Sequence, residues 1–275
     1  MPRLPWDRLE AWLDALLPCA CVGCGVGVGA GRTFCRDCAA RLPAIPAGAC
    51  PRCQLHPASP SGRCPRAPRR DPLAAAVAAV WLETPVDAWI HAFKYPPRGL
   101  RGLAPGPVAA ARALAVRAAA RAPGAAPDRV VPVPLHPRRL RARGFNPSLE
   151  LARAVGRAVG APVDPVALLR VRDTPSQTGL DAAARRRNLR GAIRAPRPVP
   201  ERVWLVDDVL TTGATAREAA RALRRAGAAR VVAVAAARTP LPGFREPAAP
   251  RDPRPCAASP SRGSPRSGGA DPPAS

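Results

Sequence analysis

Large side chains are scarce: among 275 residues there are five tryptophans, four phenylalanines, one tyrosine and one methionine, and aromatics make up 4% of the chain. The 47% hydrophobic fraction is therefore mostly alanine and valine. That is ample for a buried core, and it predicts a core packed from small residues. Lysine is nearly absent, the single instance being Lys94, and acids are few: Lys+Arg number 43 against 19 Asp+Glu, a formal net charge of +24. This balance suits anionic partners, although in a chain so rich in Ala, Gly and Pro the arginine excess also fits a coding bias toward GC-rich codons. No apolar run approaches the roughly 18–20 residues of a bilayer-spanning helix. The longest lies near 73–82, so a transmembrane segment is excluded. Proline is the opposite case, with 38 residues where average usage would give roughly 14, which argues against one uninterrupted sandwich or bundle.

At the N-terminus Trp6, Leu9, Trp12, Leu13, Leu16 and Leu17 recur at helical spacing with Asp7, Glu10 and Asp14 between them. A secretory h-region would be uninterrupted, so residues 1–18 read as an amphipathic helix. Leu16-Leu17-Pro18-Cys19 has the outline of a lipidation box, but a proline directly before the cysteine argues against it. The expected compartment is the cytoplasm, where nine cysteines indicate metal before disulfides.

Those cysteines form an internal repeat. Cys21-x-x-Cys24 and Cys35-x-x-Cys38 are two knuckles able to close a tetrahedral structural zinc site. Shifted by 29 residues, Cys50, Cys53 and Cys64 fall in the same register, but the fourth position is Ala67. The second site could borrow Cys19 or His56, stay open, or hold no metal; His56 reads first as a solvated loop histidine. Redox action by the C-x-x-C pairs fits poorly with four-fold pairing at matched spacing. So few large apolar residues flank the knuckles that metal bonds would have to supply folding energy there.

A second signal lies near the other end. Val203-Trp204-Leu205-Val206 reads as a buried parallel strand running into Asp207-Asp208-Val209-Leu210-Thr211-Thr212-Gly213-Ala214-Thr215, with a helix following to about Arg225. Two adjacent carboxylates at a strand's C-terminal end need hydroxyls or a cation to satisfy them. The threonine-glycine turn supplies backbone N–H groups, hydroxyls and the positive end of a helix dipole. Such a site suits a sugar phosphate, with a diol on the acids and the phosphate on the turn. The run resembles the 5-phosphoribosyl diphosphate (PRPP) signature of type I phosphoribosyltransferases.

Upstream, the strand-like Arg129–Pro134 leads into a basic loop with Arg138, Arg139, Arg141 and Arg143, whose charge can neutralise a diphosphate. Asn146-Pro147 then forms an N-cap and first helical position. Between these segments and the acids, the polar run 174–180 precedes a helix bearing Arg185, Arg187 and Asn188, in the manner of a mobile lid.

In chain order these pieces are the double C-x-x-C ribbon, Phe93-Lys94-Tyr95, V-P-V-P-L-H-P at 131–137, R-x-R-G-F-N at 141–146, Q-x-G-L from Gln177, and the Asp207–Thr215 run. Together they resemble the ComF/GntX family of phosphoribosyltransferase-like competence proteins over roughly Trp6–Arg238. The resemblance implies catalytic roles for Asp207, Asp208, Arg143 and Arg185. It implies PRPP contacts from Asp207, Asp208, Thr211, Thr212, Gly213, Ala214, Thr215, Arg141, Arg143, Gln177 and Asn188, with Mg²⁺ accompanying PRPP and structural Zn²⁺ in the ribbons. Departures from the family pattern are Pro147, Ala184, Ile193 and Ala67; the last concerns the second ribbon and not the sugar-phosphate site.

Strand patterns near 74–82, 129–134, 166–171, 202–206 and 230–236 alternate with helical patterns near 85–94, 107–121, 147–159, 181–191 and 214–226. This predicts an α/β fold, a type I phosphoribosyltransferase-like parallel sheet flanked by helices and preceded by a small Cys-rich zinc-ribbon domain. The expected divisions are the helix 1–18, the double ribbon 19–70, the α/β domain 71–240 and a disordered basic tail 241–275 containing Cys256, read as a spare thiol. Three functions are compatible: a phosphoribosyltransferase with an unidentified acceptor, a PRPP-binding factor that grips single-stranded DNA beside other competence proteins during DNA uptake, and a PRPP-sensing regulator without turnover.

Overall fold

The computed structural model describes residues 19–29, 31–61, 64–68, 70–96, 105–173 and 189–240. They divide between residues 38 and 39 into two compact units, so the two cysteine repeats fall in different units. The expected N-terminal helix, the lid residues Gln177, Arg185 and Asn188, and the tail with Cys256 lie outside the described residues.

In the first unit β1 (Cys19–Ala20) pairs antiparallel with β2 (Gly27–Val28), and a short helix α1 (Arg36–Ala40) begins at the second knuckle. The second unit is built on a four-stranded parallel sheet: β3 (Ala75–Trp81), β4 (Arg129–Pro132), β7 (Arg202–Leu210) and β8 (Arg230–Arg238), in the order β3-β8-β7-β4. Its helices are α2 (Val86–Lys94), α3 (Pro105–Ala119), α4 (Pro137–Arg143), α5 (Pro147–Val159) and α6 (Ala214–Arg225). This is the α/β architecture the alternation predicts. All seven residues of β3 and eight of nine in β8 are buried, because helices cover a parallel sheet on its faces and its strands then read as unbroken apolar runs. The Ala110, Ala111, Ala115 and Ala118 face of α3 is fully buried; alanine against the alanine-valine strands brings helix and sheet close with little side-chain entropy to lose.

Two expectations are corrected. Residues 166–171 do not form a fifth strand of the sheet. Residue 163 makes one parallel bridge to Val130, but the next donor of β4 on that side would be Pro132, which has no N–H. The Val166 amide donates instead to Asp164 Oδ1 at 3.2 Å, and the chain leaves to form β5 (Leu169–Arg170), which pairs antiparallel with β6 (Ile193–Arg194) in a separate ribbon. The basic segment before Asn146 is not a loop either. His136 caps the helix α4, Pro137 takes its first position, and Gly144 ends it with φ 86°. The Leu-Arg-Ala-Arg stretch has high helix propensity, and Gly144 adopts the left-handed φ without steric cost.

β3 is an edge strand, and in this unit the second cysteine repeat covers its open side. Ala76 N–H donates to Arg52 O at 3.1 Å and Trp81 N–H to Pro43 O at 2.7 Å. Between them the buried Gln54 amide acts as a strand partner, its Oε1 accepting from Ala78 N–H at 2.6 Å and its Nε2 donating to Ala78 O at 3.3 Å. Arg121, after α3, donates to Ile45 O at 3.0 Å and Ala79 O at 3.3 Å. An uncovered edge would expose a ladder of unpaired amides.

Candidate functional site

β7 extends through Leu210, so Asp207 and Asp208 are strand residues whose side chains leave the sheet near its C-terminal edge. The Asp207 Oδ1 accepts from Ser148 Oγ at 3.0 Å and from the Asp208 amide at 2.9 Å. Ser148 sits in the first turn of α5, where the Asn146 side chain caps its amide at 3.1 Å and Asn146 Nδ2 donates to Val133 O at 3.1 Å. The helix's positive end is thereby directed at the acid pair. Asp208 is paired with Lys94 Nζ at 2.9 Å, and the partly buried Arg170 adds a second positive field near Asp207, its own guanidinium pulled below the usual range by burial.

Burial, with Asp208 alongside, pushes the Asp207 carboxyl up to about 7, against the opposing influence of Lys94, the Asp208 amide and Ser148. A carboxyl whose folded pKa exceeds its unfolded value of about 3.9 favours the folded state while protonated; that contribution is present at low pH and is lost as pH rises through about 7. The ligand-free Asp207→Asn variant is therefore expected to gain stability over the parent between about pH 5 and pH 8, the gap widening with pH. Urea midpoints measured across that range check this, and a gap that narrows with pH would contradict it.

Beyond the strand, Gly213 takes φ 73° at the N-cap of α6, and the Thr212 hydroxyl accepts from Ala214 N–H at 3.4 Å. The turn is held from behind: Arg217 Nη1 donates to Thr212 O at 3.0 Å while its Nε pairs with the nearly buried Asp71 at 3.2 Å. A Cβ at Gly213 would meet Arg217 Nη1 at 2.9 Å, so a larger residue would be strained by the left-handed φ and would push against the arginine clamp. Arg217→Ala is expected to leave the fold intact and to weaken inorganic phosphate binding to the turn roughly tenfold, about the worth of one charge-assisted hydrogen bond, in a phosphate titration.

The other signature segments converge from the C-terminal end of α2. Arg143 stands over the Tyr95 ring at 4.7 Å, and Phe93 meets Phe145 with ring centroids 5.9 Å apart. Arg141 is exposed. His136, Arg138 and Arg139 approach Asp173 at 3.6–3.9 Å, where the described chain stops. Sequence reading gave Ser148, Lys94 and Arg217 no role. Only Lys94 carried a signal, as the chain's one lysine inside Phe-Lys-Tyr.

The cysteines assemble into two groups. In the first, the ligand atoms of Cys21, Cys24, Cys35 and Cys38 lie within 4.8 Å of one another. Cys24 and Cys35 sulfurs are 3.8 Å apart, the spacing of two thiolates on one tetrahedral zinc with bonds of about 2.3 Å. Amides of Cys35 and Cys38 donate to Cys21 and Cys35 sulfurs at 3.2 and 3.4 Å. Burial raises the Cys21 thiol, but the backbone donors of Cys35, Cys24 and Gly23 outweigh it and bring it down to about 6. A Cβ at Gly23 would lie 2.7 Å from Cys38 Sγ, so a side chain there would displace one of the four sulfurs.

The second group corrects the reading of His56 as a solvated loop residue. Cys50, Cys53, His56 and Cys64 bring their ligand atoms within 4.8 Å, with Cys53 and His56 Nε2 each 3.4 Å from Cys64 Sγ. His56 Nδ1 donates to Pro57 O at 2.6 Å, which leaves the Nε2 lone pair facing the sulfurs, the outer-shell arrangement typical of a metal-ligating imidazole. A fourth ligand could thus come from His56, in a Cys50-x-x-Cys53-x-x-His56 spacing in place of position 67, and both groups could hold zinc.

No family model matches the chain. It is 46% identical over 106 residues to the DNA utilization protein YhgH of Escherichia coli O157:H7, covering 38% of this chain and 47% of that protein. It is 38% identical over 105 residues to Competence protein F of Haemophilus influenzae, covering 37% and 46%. Over these spans the chain is similar to both proteins. It spans about half the length of those curated relatives, in keeping with the family motifs quoted from its sequence. Among solved structures, the glutamine phosphoribosylpyrophosphate amidotransferase of B. subtilis matches 52% of this chain and 30% of its own at 25% identity and a TM-score of 0.35; the fold assignment rests on the strand order above. Among the described residues no helix is long and apolar enough to cross a membrane.

Proposed function

We propose that this chain binds PRPP with Mg²⁺ at the C-terminal edge of its parallel sheet and transfers the phosphoribosyl group to an acceptor, in the service of DNA uptake or use. One observation carries the reading: an adjacent acid pair, held by Ser148 and Lys94, directly precedes a left-handed glycine turn at a helix N-terminus. A capped helix alone needs no such acids, whereas a pentose 5-phosphate needs both parts. Asp207 and Asp208 accept the ribose hydroxyls, and the turn from Thr211 to Thr215 receives the 5-phosphate. Arg141 and Arg143, with the lid residues Gln177, Arg185 and Asn188, meet the diphosphate. In the reaction the acceptor's lone pair forms a bond to the anomeric carbon as the carbon–oxygen bond to diphosphate breaks, its electrons leaving with diphosphate. Mg²⁺ supplies charge neutralisation on the leaving group when bound. The acids brace the positive charge developing on the ribose.

The names of the relatives, DNA utilization protein and Competence protein F, support the DNA-linked role, with single-stranded DNA and other competence proteins as partners. Calorimetric titration of PRPP·Mg²⁺ into the full chain tests the binding reading. Saturable, micromolar-range binding that tightens as pH rises through about 7 is expected, since the diol needs an ionised Asp207; the absence of binding heat at any pH overturns it. Diphosphate release on adding an acceptor base separates turnover from sensing.

A further inference from the structure

Arg238, the last residue of β8, is 1% exposed, and its Nε and Nη1 are buried without a hydrogen-bond partner. A guanidinium is charged at every ordinary pH, and a buried charge without a counter-charge is among the costliest features a fold can carry. Among the described residues Arg238 makes no ion pair with an acid, and the carboxylate of Asp71 is engaged by Arg217. Among the described residues the charges of Cys53, Cys50 and Cys64 would act favourably on Arg238, and that of Arg217 unfavourably. Cys50, Cys53 and Cys64 pack with Ala78 and Trp81 of β3 in one buried cluster, and Trp81 is in register with Arg238.

From this placement we infer that Arg238 is the counter-charge of a metal centre at Cys50, Cys53, His56 and Cys64, and that it ties metal occupancy to the strand end that runs into the turn at Thr211. The charges match. Three thiolates and a neutral imidazole around a divalent zinc leave a net charge of minus one, which one guanidinium cancels; a fourth thiolate would leave minus two. Replacement of the repeat's fourth cysteine by Ala67, with His56 as the ligand, is thus consistent with one buried guanidinium, that of Arg238, beside the site among the described residues. The link to the turn runs through the backbone. Leu82 N–H donates to Arg238 O at 2.7 Å, Thr239 N–H donates to Leu210 O at 3.0 Å, and Leu210 is in register with Arg238 immediately before Thr211. By linkage, whatever Arg238 contributes to the metal, the metal returns to Arg238.

The inference rests on the second group being a metal site and is independent of any PRPP chemistry. Its test uses the full chain, with zinc affinity read by competition with a chromophoric chelator. The parent is expected to bind two zinc ions. Arg238→Met should weaken one of them at least tenfold and leave the other unchanged, and Arg238→Lys, which keeps the charge, should recover part of the loss. Two zinc ions held with parental affinity in Arg238→Met would overturn the inference, as would a parent that binds only one. Should Arg238→Met not fold, hydrogen exchange on the parent decides. Withdrawing the weaker zinc should speed exchange of the Leu82 and Thr239 amides at least tenfold, and unchanged protection at both would refute the coupling.

Discussion

Replacing Asp207 and Asp208 together by asparagine is expected to abolish PRPP·Mg²⁺ binding while leaving the protein folded. Each charged acceptor lost from a ribose hydroxyl removes roughly 1.5–3 kcal/mol, so the pair weakens binding by more than about a hundredfold. Asparagine keeps an oxygen for the Ser148 hydroxyl and the residue 208 amide, the two contacts that now hold Asp207 Oδ1. It also removes the repulsion that, with burial, raises Asp207. Asp207→Asn alone should therefore be more stable than the parent and bind less, the exchange expected where a site holds a destabilising charge for function. Asp208→Asn differs, because Lys94 then loses its partner. Calorimetry with PRPP·Mg²⁺ and, separately, inorganic phosphate checks the argument: the sugar-dependent affinity should vanish and the phosphate affinity of the turn should survive. Retained PRPP affinity in the double variant would remove the acids from the site.

The second large effect is on folding. Cys53→Ser should cost the sheet unit about 4 kcal/mol or more, the size reserved for losing a metal or a buried network, or roughly 10 °C of melting temperature at this chain length. Cys53 is 1% exposed and shares its cluster with Ala78 and Trp81 of β3. The same stretch of chain supplies Arg52 O and the Gln54 amide to that strand's open edge. Losing the metal thus releases the segment that keeps the edge paired, and Arg238 loses the charged centre beside it. Chelator-induced unfolding of the parent at the same temperature should reproduce the effect. A Cys53→Ser protein that has lost one zinc yet melts like the parent would show the ribbon to be an ornament on the sheet.

Much of this was legible in the sequence. The strand leading into Asp207-Asp208, the turn after it and the cap at Asn146 all depend on neighbours in the chain, and the two C-x-x-C knuckles of the first site lie within 18 residues from Cys21 to Cys38. The basic stretch 137–143 was misread because its arginines were weighed as charge and not as helix formers between a proline start and a glycine stop. The strand expected at 166–171 fails on Pro132 of β4, whose missing N–H interrupts the pairing begun at residue 163.

What the chain alone determined, then, is every feature carried by local spacing: the alternation that makes a parallel α/β sheet, the acids and glycine turn, and the cysteine repeat. Only the tertiary structure decided which distant groups complete them. Ser148 reaches Asp207 across 59 positions, Lys94 reaches Asp208, Arg217 reaches Asp71 across 146, and His56 turns inward to replace a missing cysteine. Such pairings are set by strand order and burial, since a buried charge must find its partner wherever the packing brings one, and no local pattern records where that will be.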